Sequence, residues 1–440
     1  MFAPFAYSRP VGKETLDERF ATQMRAATAR SIRVVCRTLV LLLALGTPAW
    51  AAEPGNWVST WTASPQAVWG AGFTFDTKLP GELKDQTLRQ VARISLGGER
   101  LRIVISNAYG QQPMQIGAAR VALSSGSGGI VAGTDRAITF GGQAAATVPP
   151  GAPLLSDPID LPTPALASLA ISIYLPEPTP ASTFHWDGGQ TAWLAAGNQV
   201  AAERIDTGKP TTARMLLSAV QVDTPAHAGA VVVLGDSITD GNGASVDANA
   251  RWPDYLAARL APRKMAVLNA GISGARLLSD LMGVNALARF ERDVLGQPGV
   301  RSVIVLLGIN DISWPGTAFD AQGAAPSAEV LIAGYRQLIA RAHARGVRIL
   351  GATLPPFEGA LAGTPLADYY QPQKDALRQQ INLWIRTSGE FDAVLDLDAV
   401  LKDPAQPTRL LPAFDSGDHL HPGDRGNAAM ADAVNLDQLR

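Results

Sequence analysis

The sequence predicts an α/β protein with two domains, in which a three-layer α/β/α parallel-sheet domain follows a β-sandwich-like domain. Two observations support this prediction. In the second half, short apolar runs alternate with amphipathic, helix-like stretches, which is typical of a parallel sheet covered by helices on both faces. In the first half, short segments of alternating polarity are bounded by Gly, Pro and Ser, which indicates antiparallel strands.

The first 51 residues have the pattern of an export signal. Three arginines precede an apolar run over residues 39–45, and Ala49-Trp50-Ala51 follows as a small-residue cleavage site. The run is much shorter than the ~20 residues that span a bilayer. We therefore expect a secreted or periplasmic protein, cleaved near Ala51, with no integral membrane segment in the mature chain. Met24 is an alternative start, because the stretch before it does not resemble a signal.

Cysteine usage and charge exclude several classes of protein. Cys36, the only cysteine, lies inside the predicted signal, so the mature chain has no disulfide, no thiol nucleophile and no cysteine-bound zinc. The formal net charge of the whole chain is −2, and no basic stripe with interleaved aromatic residues is present. Nucleic acid is therefore not an expected partner.

Residues 52–225 are predicted to form the β-sandwich-like domain. Residues 101–105 and 169–174 are apolar, partly alternating and bounded by turn residues, and residues 91–95, 115–123 and 137–140 suggest further strands. A linker is expected at residues 225–229, which begin with proline, end with glycine and are rich in alanine.

Residues 229–440 are predicted to form the parallel-sheet domain. Besides the three strands described below, strands are expected at 347–353 and 391–397, and helices at 251–260, 286–295, 327–345, 369–387 and 426–439. The loops 313–326 and 357–368 follow strand ends on one edge of the sheet. We expect these two loops to form the walls of a ligand site.

Ser237 is the first candidate for chemistry. Residues 230–234 form an unbroken apolar run that predicts a strand buried on both faces, and Ser237 follows where the chain turns toward a helix. It is either a nucleophile or an N-cap of that helix, assisted by Asp236. The segment is not the nucleophile elbow of α/β-hydrolases, because Thr239 replaces the glycine that the elbow needs two residues after the serine.

His421 is the favoured base for such a nucleophile. It lies three residues after Asp418 and directly before Pro422-Gly423, so that one loop can present a carboxylate and an imidazole together. His419 is the competing base, but it is only one residue from Asp418. The alternative for the Asp-x-x-His pair is capping of the following helix. The other histidines lie in a helical stretch, in the linker and in the β-rich half: His343, His227 and His185.

Two further loops offer donors for a developing oxyanion. A second strand at 266–268 leads to Gly274, whose backbone N–H can face a ligand because no side chain blocks it. A third strand at 301–307 leads to Asn310, whose amide can donate a hydrogen bond. The alternative for Asn310 and Asp311 is a hydrogen-bonded turn after the strand.

These four segments together resemble the four sequence blocks of the SGNH (GDSL-type) hydrolase superfamily, with the Gly-Asp-Ser-Ile form of the first block. The resemblance covers 229–440 and implies a flavodoxin-like sheet. It implies that Ser237 is the nucleophile, that His421 is its base and that Asp418 is the partner of His421. It also implies an oxyanion hole made of Ser237, Gly274 and Asn310.

The resemblance implies a carboxylic ester hydrolase. We expect no metal or other cofactor, because the mature chain has no cysteine and its histidines form no compact ligand set such as His-Glu-x-x-His. We expect an exported serine esterase that removes short acyl groups, above all acetyl, from saccharides. The alternatives are a lipase, arylesterase or lysophospholipase, and a non-catalytic carbohydrate-binding protein. The β-rich domain resembles those of secreted members of the superfamily that begin with Trp-x-x-Thr-Trp, as residues 57–61 do here. It is either a carbohydrate-binding module or a packing partner that shapes the rim of the active site.

Overall fold

The computed structural model describes residues 55–439 except residues 71 and 206. The predicted signal, Met24 and Cys36 lie outside the described residues. Within the described residues, no helix is both long enough and apolar enough to cross a bilayer. From Asn56 onward the chain forms one compact unit, so the predicted boundary at residues 225–229 stays a prediction.

The first part of this unit consists of short strands. They are β1 Trp57–Thr62, β2 Gln66–Ala67, β3 Glu82–Leu83, β4 Gln86–Arg93, β5 Gly98–Ser106, β6 Met114–Ile116, β7 Ala118–Gly126, β8 Gly129–Ile130, β9 Arg136–Ile138, β10 Ala146–Val148, β11 Pro153–Leu155, β12 Ile159–Thr163, β13 Ser168–Leu175, β14 Thr179–Pro180, β15 Thr183–His185, β16 Ala192–Ala196, β17 Lys209–Thr211, β18 Arg214–Met215 and β19 Leu217–Asp223.

Two antiparallel sheets make up most of this region and confirm the predicted β-sandwich-like fold. One has the order β1-β19-β5-β11, and the other has the order β17-β16-β4-β13-β7-β8. The central strand β13 pairs on both sides, with Ile171 opposite Gln90 of β4 and Val121 of β7. Alternate side chains of β5, including Ile103, are buried and pack in one core with Ile171. The alternation of β5 reflects one buried face, whereas the central strand β13 is buried on both faces from Leu169 to Ile173.

The second part contains five parallel strands and the helices between them. The strands are β20 Gly229–Gly235, β21 Met265–Gly271, β22 Val300–Leu306, β23 Arg348–Ala352 and β24 Ala393–Leu395. The helices are α1 Ser237–Asp240, α2 Trp252–Leu260, α3 Ala286–Phe290, α4 Ile309–Ser313, α5 Ala328–Ala344, α6 Pro372–Thr387, α7 Leu397–Leu401 and α8 Asp424–Asp432.

The five strands are arranged in the order β21-β20-β22-β23-β24, and every pair is parallel. This is the flavodoxin-like order, with the first strand of the sheet between the second and the third. Val233 of β20 lies opposite Asn269 of β21 and Ile304 of β22. The predicted three-layer parallel sheet is therefore confirmed, and its switch point lies at β20.

Several elements differ in extent from the predictions. The helix expected at 369–387 begins at Pro372, because proline is favoured in the first helical turn and disfavours helical backbone in the residue before it. The stretch 286–295 becomes a π-helix over Glu291–Leu295. The strand expected at 391–397 is only Ala393–Leu395, because Asp396 caps α7. The closing helix is α8, which ends at Asp432, and a separate 3-10 turn follows at Leu436–Gln438.

The β-rich region packs directly against β21. The Ser95 hydroxyl lies 3.2 Å from the carbonyl oxygen of Val267 and accepts the N–H of Val267 at 3.0 Å. The Thr62 hydroxyl donates to the carbonyl oxygen of Asn269 at 3.0 Å. One hydrophobic core continues from the sandwich into the parallel sheet. The two regions therefore share buried surface close to the carboxyl end of β21.

Candidate active site

The candidate site lies at the carboxyl edge of the parallel sheet, at the switch point. Ser237 follows β20, Gly274 follows β21 and Asn310 follows β22, so the three neighbouring strands end at one place. The loop with His421 comes from the far end of the chain and lines the same cavity. The structure thus brings together the residues that the four sequence segments singled out.

Ser237, His421 and Asp418 form a continuous hydrogen-bond chain. The Oγ atom of Ser237 lies 2.8 Å from Nε2 of His421, and Nδ1 of His421 lies 2.6 Å from Oδ2 of Asp418. Ser237 and His421 are buried, and Asp418 is partly exposed. With a proton on Nδ1 shared toward Asp418, Nε2 is the acceptor for the Ser237 hydroxyl. This is the geometry that removal of a proton from serine requires.

The loop fixes Asp418 as an ionised carboxylate. Its Oδ1 accepts the backbone N–H groups of His421 and Leu420 at 2.8 and 3.0 Å. Burial alone would raise the pKa of Asp418, but its hydrogen bonds and the charge of His421 outweigh burial and hold the pKa well below the ordinary value. The Asp-x-x-His pair does not cap the following helix, since the N-cap of α8 is Gly423.

The other described histidines do not contact Ser237. The ring of His419 contacts Asp415, and its side chain is 54% exposed. His343 pairs with Asp392 at 3.1 Å on an exposed surface. His185 is buried between the two regions and contacts Asp240. The preference for His421 over His419 therefore agrees with the positions of the rings.

Asp236, and not Ser237, caps the helix that follows β20. The alternative interpretation of Ser237 as the N-cap is therefore wrong. The N-cap of α1 is Asp236, whose Oδ1 accepts the N–H of Ile238 at 3.0 Å. Ser237 is the first helical residue, so its side chain is free of capping. Asp236 is completely buried and its Oδ2 has no hydrogen-bond partner. Burial, against the effect of the bond from Ile238, raises the pKa of Asp236 to about 7.

Gly274 lies in a position that only glycine fits. Its φ is +74°, and a Cβ atom there would lie 2.1 Å from Sδ of Met282. The carbonyl oxygen of Gly274 accepts Nε1–H of Trp314 at 3.2 Å. Trp314 therefore fixes the peptide group between Gly274 and Ala275. The positive φ of Gly274 allows the loop to pass close to the cavity.

Asn310 is held by two hydrogen bonds that set the orientation of its amide. Its Nδ2 donates to the carbonyl oxygen of Ala275 at 2.9 Å, and its Oδ1 accepts the hydroxyl of Tyr369 at 2.7 Å. A carbonyl oxygen can only accept, so the contact with Ala275 identifies the nitrogen. One N–H of the amide remains for a ligand, since the group has two hydrogens and Asn310 lines the cavity.

Asp311 does not form the turn that the alternative interpretation proposed. Asn310 and Asp311 lie in α4, and the Asp311 carboxylate accepts the backbone N–H groups of Leu277 and Leu278 at 2.7 and 2.9 Å. Burial, against the effect of these bonds, raises the pKa of Asp311 to about 6. Asp311 thus fastens the loop after β21, which carries Gly274, to the start of α4.

The cavity beside Ser237 has a volume of about 300 Å³ and largely apolar walls. Both loops that were expected to form walls do so: Trp314 and Phe319 come from the first, and Leu361 and Leu366 from the second. Among the described residues of its lining, Asp418 is the only carboxylate, and no Lys or Arg is present. The walls therefore suit an uncharged ligand.

The β-rich region supplies a third wall. Thr74, Phe75 and Trp186 line the cavity, the rings of Phe75 and Trp186 are stacked 5.3 Å apart, and Phe75 meets Phe319 edge-on at 5.1 Å. Sequence reasoning missed these residues, and it also missed Tyr369. The sequence left two roles open for the β-rich region, a carbohydrate-binding module or a packing partner that shapes the rim. The positions of Phe75 and Trp186 agree with the second role. Nothing in the spacing of the aromatic residues singled out Phe75 or Trp186.

The described residues offer no cluster of metal ligands. Across residues 55–439, apart from the two undescribed positions, no three His, Cys, Asp or Glu side chains are grouped as metal ligands would be. The expectation that hydrolysis needs no metal stays a prediction.

Residues 233–429 match the model of the GDSL-like Lipase/Acylhydrolase family. The match spans less than half of the chain and identifies this part as a GDSL-like domain of the SGNH hydrolase superfamily. This domain supports a carboxylic ester hydrolase. A search of curated proteins finds no match.

Solved structures similar to this chain include two esterases and a lipase. A catalytic mutant of an acetylxylan esterase from Geobacillus stearothermophilus is 22% identical, with 48% of this chain and 94% of that chain covered and a TM-score of 0.36. The native aryl esterase of M. smegmatis is 16% identical, with 48% and 100% covered and a TM-score of 0.39. A GDSL-like lipase from Bacteroides thetaiotaomicron is 17% identical, with 48% and 87% covered and a TM-score of 0.36. At these values the likenesses do not bear on the substrate.

Proposed function

We propose that the protein is a serine esterase in which Ser237 attacks the ester carbonyl carbon, His421 accepts the proton of Ser237, and Asp418 holds His421. The single observation that carries this proposal is the hydrogen-bond chain from Ser237 through His421 to Asp418 at the wall of the cavity. Asp418 stabilises the imidazolium that forms and does not itself take the proton.

The proposed reaction has two halves. Attack by Oγ of Ser237 gives a tetrahedral intermediate, whose oxyanion accepts hydrogen bonds from the N–H groups of Ser237 and Gly274 and from the amide of Asn310. His421 then gives the proton to the leaving alcohol. In the second half, His421 takes a proton from water, the hydroxide attacks the acyl-serine, and Ser237 leaves with the proton returned.

Two substrate classes are in contention. We propose short-chain acyl esters of saccharides, above all acetyl esters, for an exported enzyme cleaved near Ala51. Support comes from the small, uncharged cavity, whose volume is at the low end for small-molecule sites, and from the aromatic rings of Phe75 and Trp186, on which a sugar ring can stack. The same apolar wall specifically favours aryl or other apolar esters as the second candidate.

The decisive experiment compares wild type with Ser237→Ala, and with Ser124→Ala in β7 as a matched serine variant outside the cavity. The wild type and Ser124→Ala should hydrolyse p-nitrophenyl acetate and react with a fluorophosphonate at Ser237, whereas Ser237→Ala should do neither while its circular dichroism is unchanged. Full turnover by folded Ser237→Ala would end the serine-esterase proposal.

The substrate is tested with the same preparations. Acetate release from acetylated xylan should exceed turnover of p-nitrophenyl butyrate and octanoate if saccharide esters are the substrates. The reverse order, with phenyl acetate and longer acyl chains preferred, would assign the apolar-ester alternative. The mass of the protein recovered from the medium or periplasm of the expressing cells tests the cleavage site: a mass that retains residues 1–51 would contradict it.

A further inference from the structure

A buried ion pair links the β-rich region to the helix that begins with Ser237. Nε2 of His185, at the end of β15, lies 2.9 Å from Oδ1 of Asp240, the last residue of α1. The two side chains are 7% and 1% exposed. Water therefore does not screen this contact, and the loss of His185 would take from Asp240 its hydrogen-bonded counter-charge. The guanidinium groups of Arg214, Arg251 and Arg289 also attract Asp240, but His185 is the cation that its side chain contacts directly.

The surroundings of His185 specify a doubly protonated ring. Its Nδ1 lies 3.0 Å from the carbonyl oxygen of Ser64, which can only accept a hydrogen bond, so Nδ1 carries a proton. Nε2 faces the carboxylate of Asp240. Burial would lower the pKa of His185, but the charge and hydrogen bond of Asp240 outweigh burial, and the pKa lies above its ordinary value. Arg214 opposes this effect, and the partly buried Asp187 is a second carboxyl group close by.

The second oxygen of Asp240 holds the loop that carries Gly274. Its Oδ2 accepts both the backbone N–H and the hydroxyl of Ser273, each at 2.9 Å. Ser273 directly precedes Gly274 and is itself buried. A single carboxylate thus connects the helix of Ser237 with the loop that offers an oxyanion donor, and His185 is the cation in hydrogen-bond contact with it.

The β-rich region holds the same loop from a second side. The carbonyl oxygen of Met282 accepts Nε2–H of Gln66 and Nε1–H of Trp69, both at 2.8 Å. The Met282 side chain packs against Gly274, since a Cβ at Gly274 would overlap it. Two sets of contacts from the β-rich region therefore converge on the turn Ser273–Gly274.

We propose that His185 is a positioning residue for ester hydrolysis: through Asp240 it holds Ser273 and so keeps the Gly274 N–H aligned with the oxyanion site. The proposal rests on the proposed roles of Ser237 and Gly274. It makes the β-rich region a part of the catalytic apparatus. His185, Asp240 and Ser273 are not a second nucleophilic set, because the carboxylate lies between the serine and the histidine, so that no imidazole contacts the serine.

The effect should appear in kcat. Removal of one oxyanion donor typically lowers kcat by about 100- to 1,000-fold, and a misaligned donor retains part of its effect. We therefore expect His185→Ala to lower kcat for p-nitrophenyl acetate by roughly 10- to 100-fold with a KM within about twofold of wild type, because the donor acts mainly in the transition state. His343→Ala, which removes the exposed pair with Asp392, is the matched control and should have wild-type kcat.

A double-mutant cycle separates positioning from packing. If His185 acts through Asp240, the kcat of His185→Ala/Asp240→Ala should equal that of Asp240→Ala alone. His185→Gln, which can still donate to Asp240, should recover part of the loss. Ser273→Ala keeps the backbone bond to Asp240 and should lose only a few-fold in kcat relative to wild type, the order of a lost neutral hydrogen bond. Melting temperature and circular dichroism of each variant show whether the measured protein is folded.

Three results would overturn the proposal. The first is an unchanged kcat in folded His185→Ala. The second is a double variant whose fold-loss in kcat equals the product of the losses of His185→Ala and Asp240→Ala. The third is failure of both His185 variants to fold, which would give the pair a structural role only. Each leaves the proposed function standing as long as the wild type is active and Ser237→Ala is not. An inactive wild type, or an active Ser237→Ala, would instead refute the proposed function itself.

Discussion

The hydroxyl of Tyr369 donates to Oδ1 of Asn310 at 2.7 Å, and this bond turns the nitrogen of the amide toward Ala275 and the cavity. Tyr369 is fully buried in a 3-10 turn before α6. Its ring meets Trp314 edge-on at 5.2 Å. A loop distant in sequence thus orients the donor that follows β22.

Tyr369→Phe should lower kcat by roughly 10-fold and leave KM nearly unchanged, because it removes one neutral hydrogen bond that orients the amide without removing the donor. Tyr370→Phe is the control: its ring packs on Phe357 at 5.2 Å, and it is not among the residues that line the cavity. Steady-state kinetics with p-nitrophenyl acetate measures both. A raised KM with unchanged kcat in Tyr369→Phe would make Tyr369 a substrate contact instead.

Asn310→Ala should be more damaging, with kcat reduced by about 100- to 1,000-fold and little change in KM, as for other lost oxyanion donors. The reason is that the amide interacts with charge that develops only in the transition state. If KM rises and kcat stays constant, Asn310 binds the ground state and the oxyanion assignment is wrong.

His421→Ala should lose nearly as much activity as Ser237→Ala, whereas His419→Ala should be mild, since the ring of His419 contacts Asp415 and not the serine. Asp418→Asn should lose less than His421→Ala, because the carboxylate orients and stabilises the base without taking its proton. Turnover of p-nitrophenyl acetate by the three folded variants gives the ranking. An inactive His419→Ala beside an active His421→Ala would reverse the assignment of the base.

The parallel sheet could be predicted from the sequence because its strands are buried on both faces. Residues 230–234 read as an unbroken apolar run, and the structure extends that strand by one residue at each end, to Gly229–Gly235. The common site of Ser237, Gly274 and Asn310 was implied by the family resemblance, and it agrees with the rule that parallel strands end at one edge.

The rest depends on contacts between segments far apart in the chain. Tyr369 contacts Asn310 across 59 positions, and His185 contacts Asp240 across 55. His185 occurs in a short strand without any motif, and its partner looked like an ordinary residue of a short helix. The boundaries also shifted where caps decide them, as at Asp396, which ends the last strand early by capping α7.

Hydrolysis is expected to be independent of metal ions, because Ser237, Gly274 and Asn310 supply the proposed nucleophile and donors. Activity toward p-nitrophenyl acetate should be unchanged after dialysis against EDTA, while a fluorophosphonate should abolish it. Melting curves before and after dialysis serve as the control for structural effects. Loss of activity in EDTA that a divalent ion restores, without a change in melting temperature, would require a metal-assisted mechanism.

The buried Asp236 predicts how stability depends on pH. Its pKa of about 7 lies above the ordinary value of 3.8, so between these values the folded protein binds more protons at this group than the unfolded chain does. The free energy of unfolding must then fall as pH rises through this window, and it levels off above about pH 7 as far as Asp236 is concerned. Asp311, with a pKa of about 6, contributes with the same sign.

Asp236→Asn should remove the share of this dependence that is due to Asp236, while keeping the capping oxygen that accepts the N–H of Ile238. The melting temperature of the variant minus that of wild type should therefore increase from pH 4 to about pH 7. In wild type the unfolded chain ionises Asp236 in that range while the folded protein keeps it protonated, and the variant lacks this group. Asp311 is present in both proteins. Thermal melts of both proteins at intervals of pH measure this difference, and Ser124→Ala provides a variant whose difference from wild type should stay constant. A difference for Asp236→Asn that is flat, or that falls as pH rises, would show that the pKa of Asp236 in the folded protein is not raised above its ordinary value.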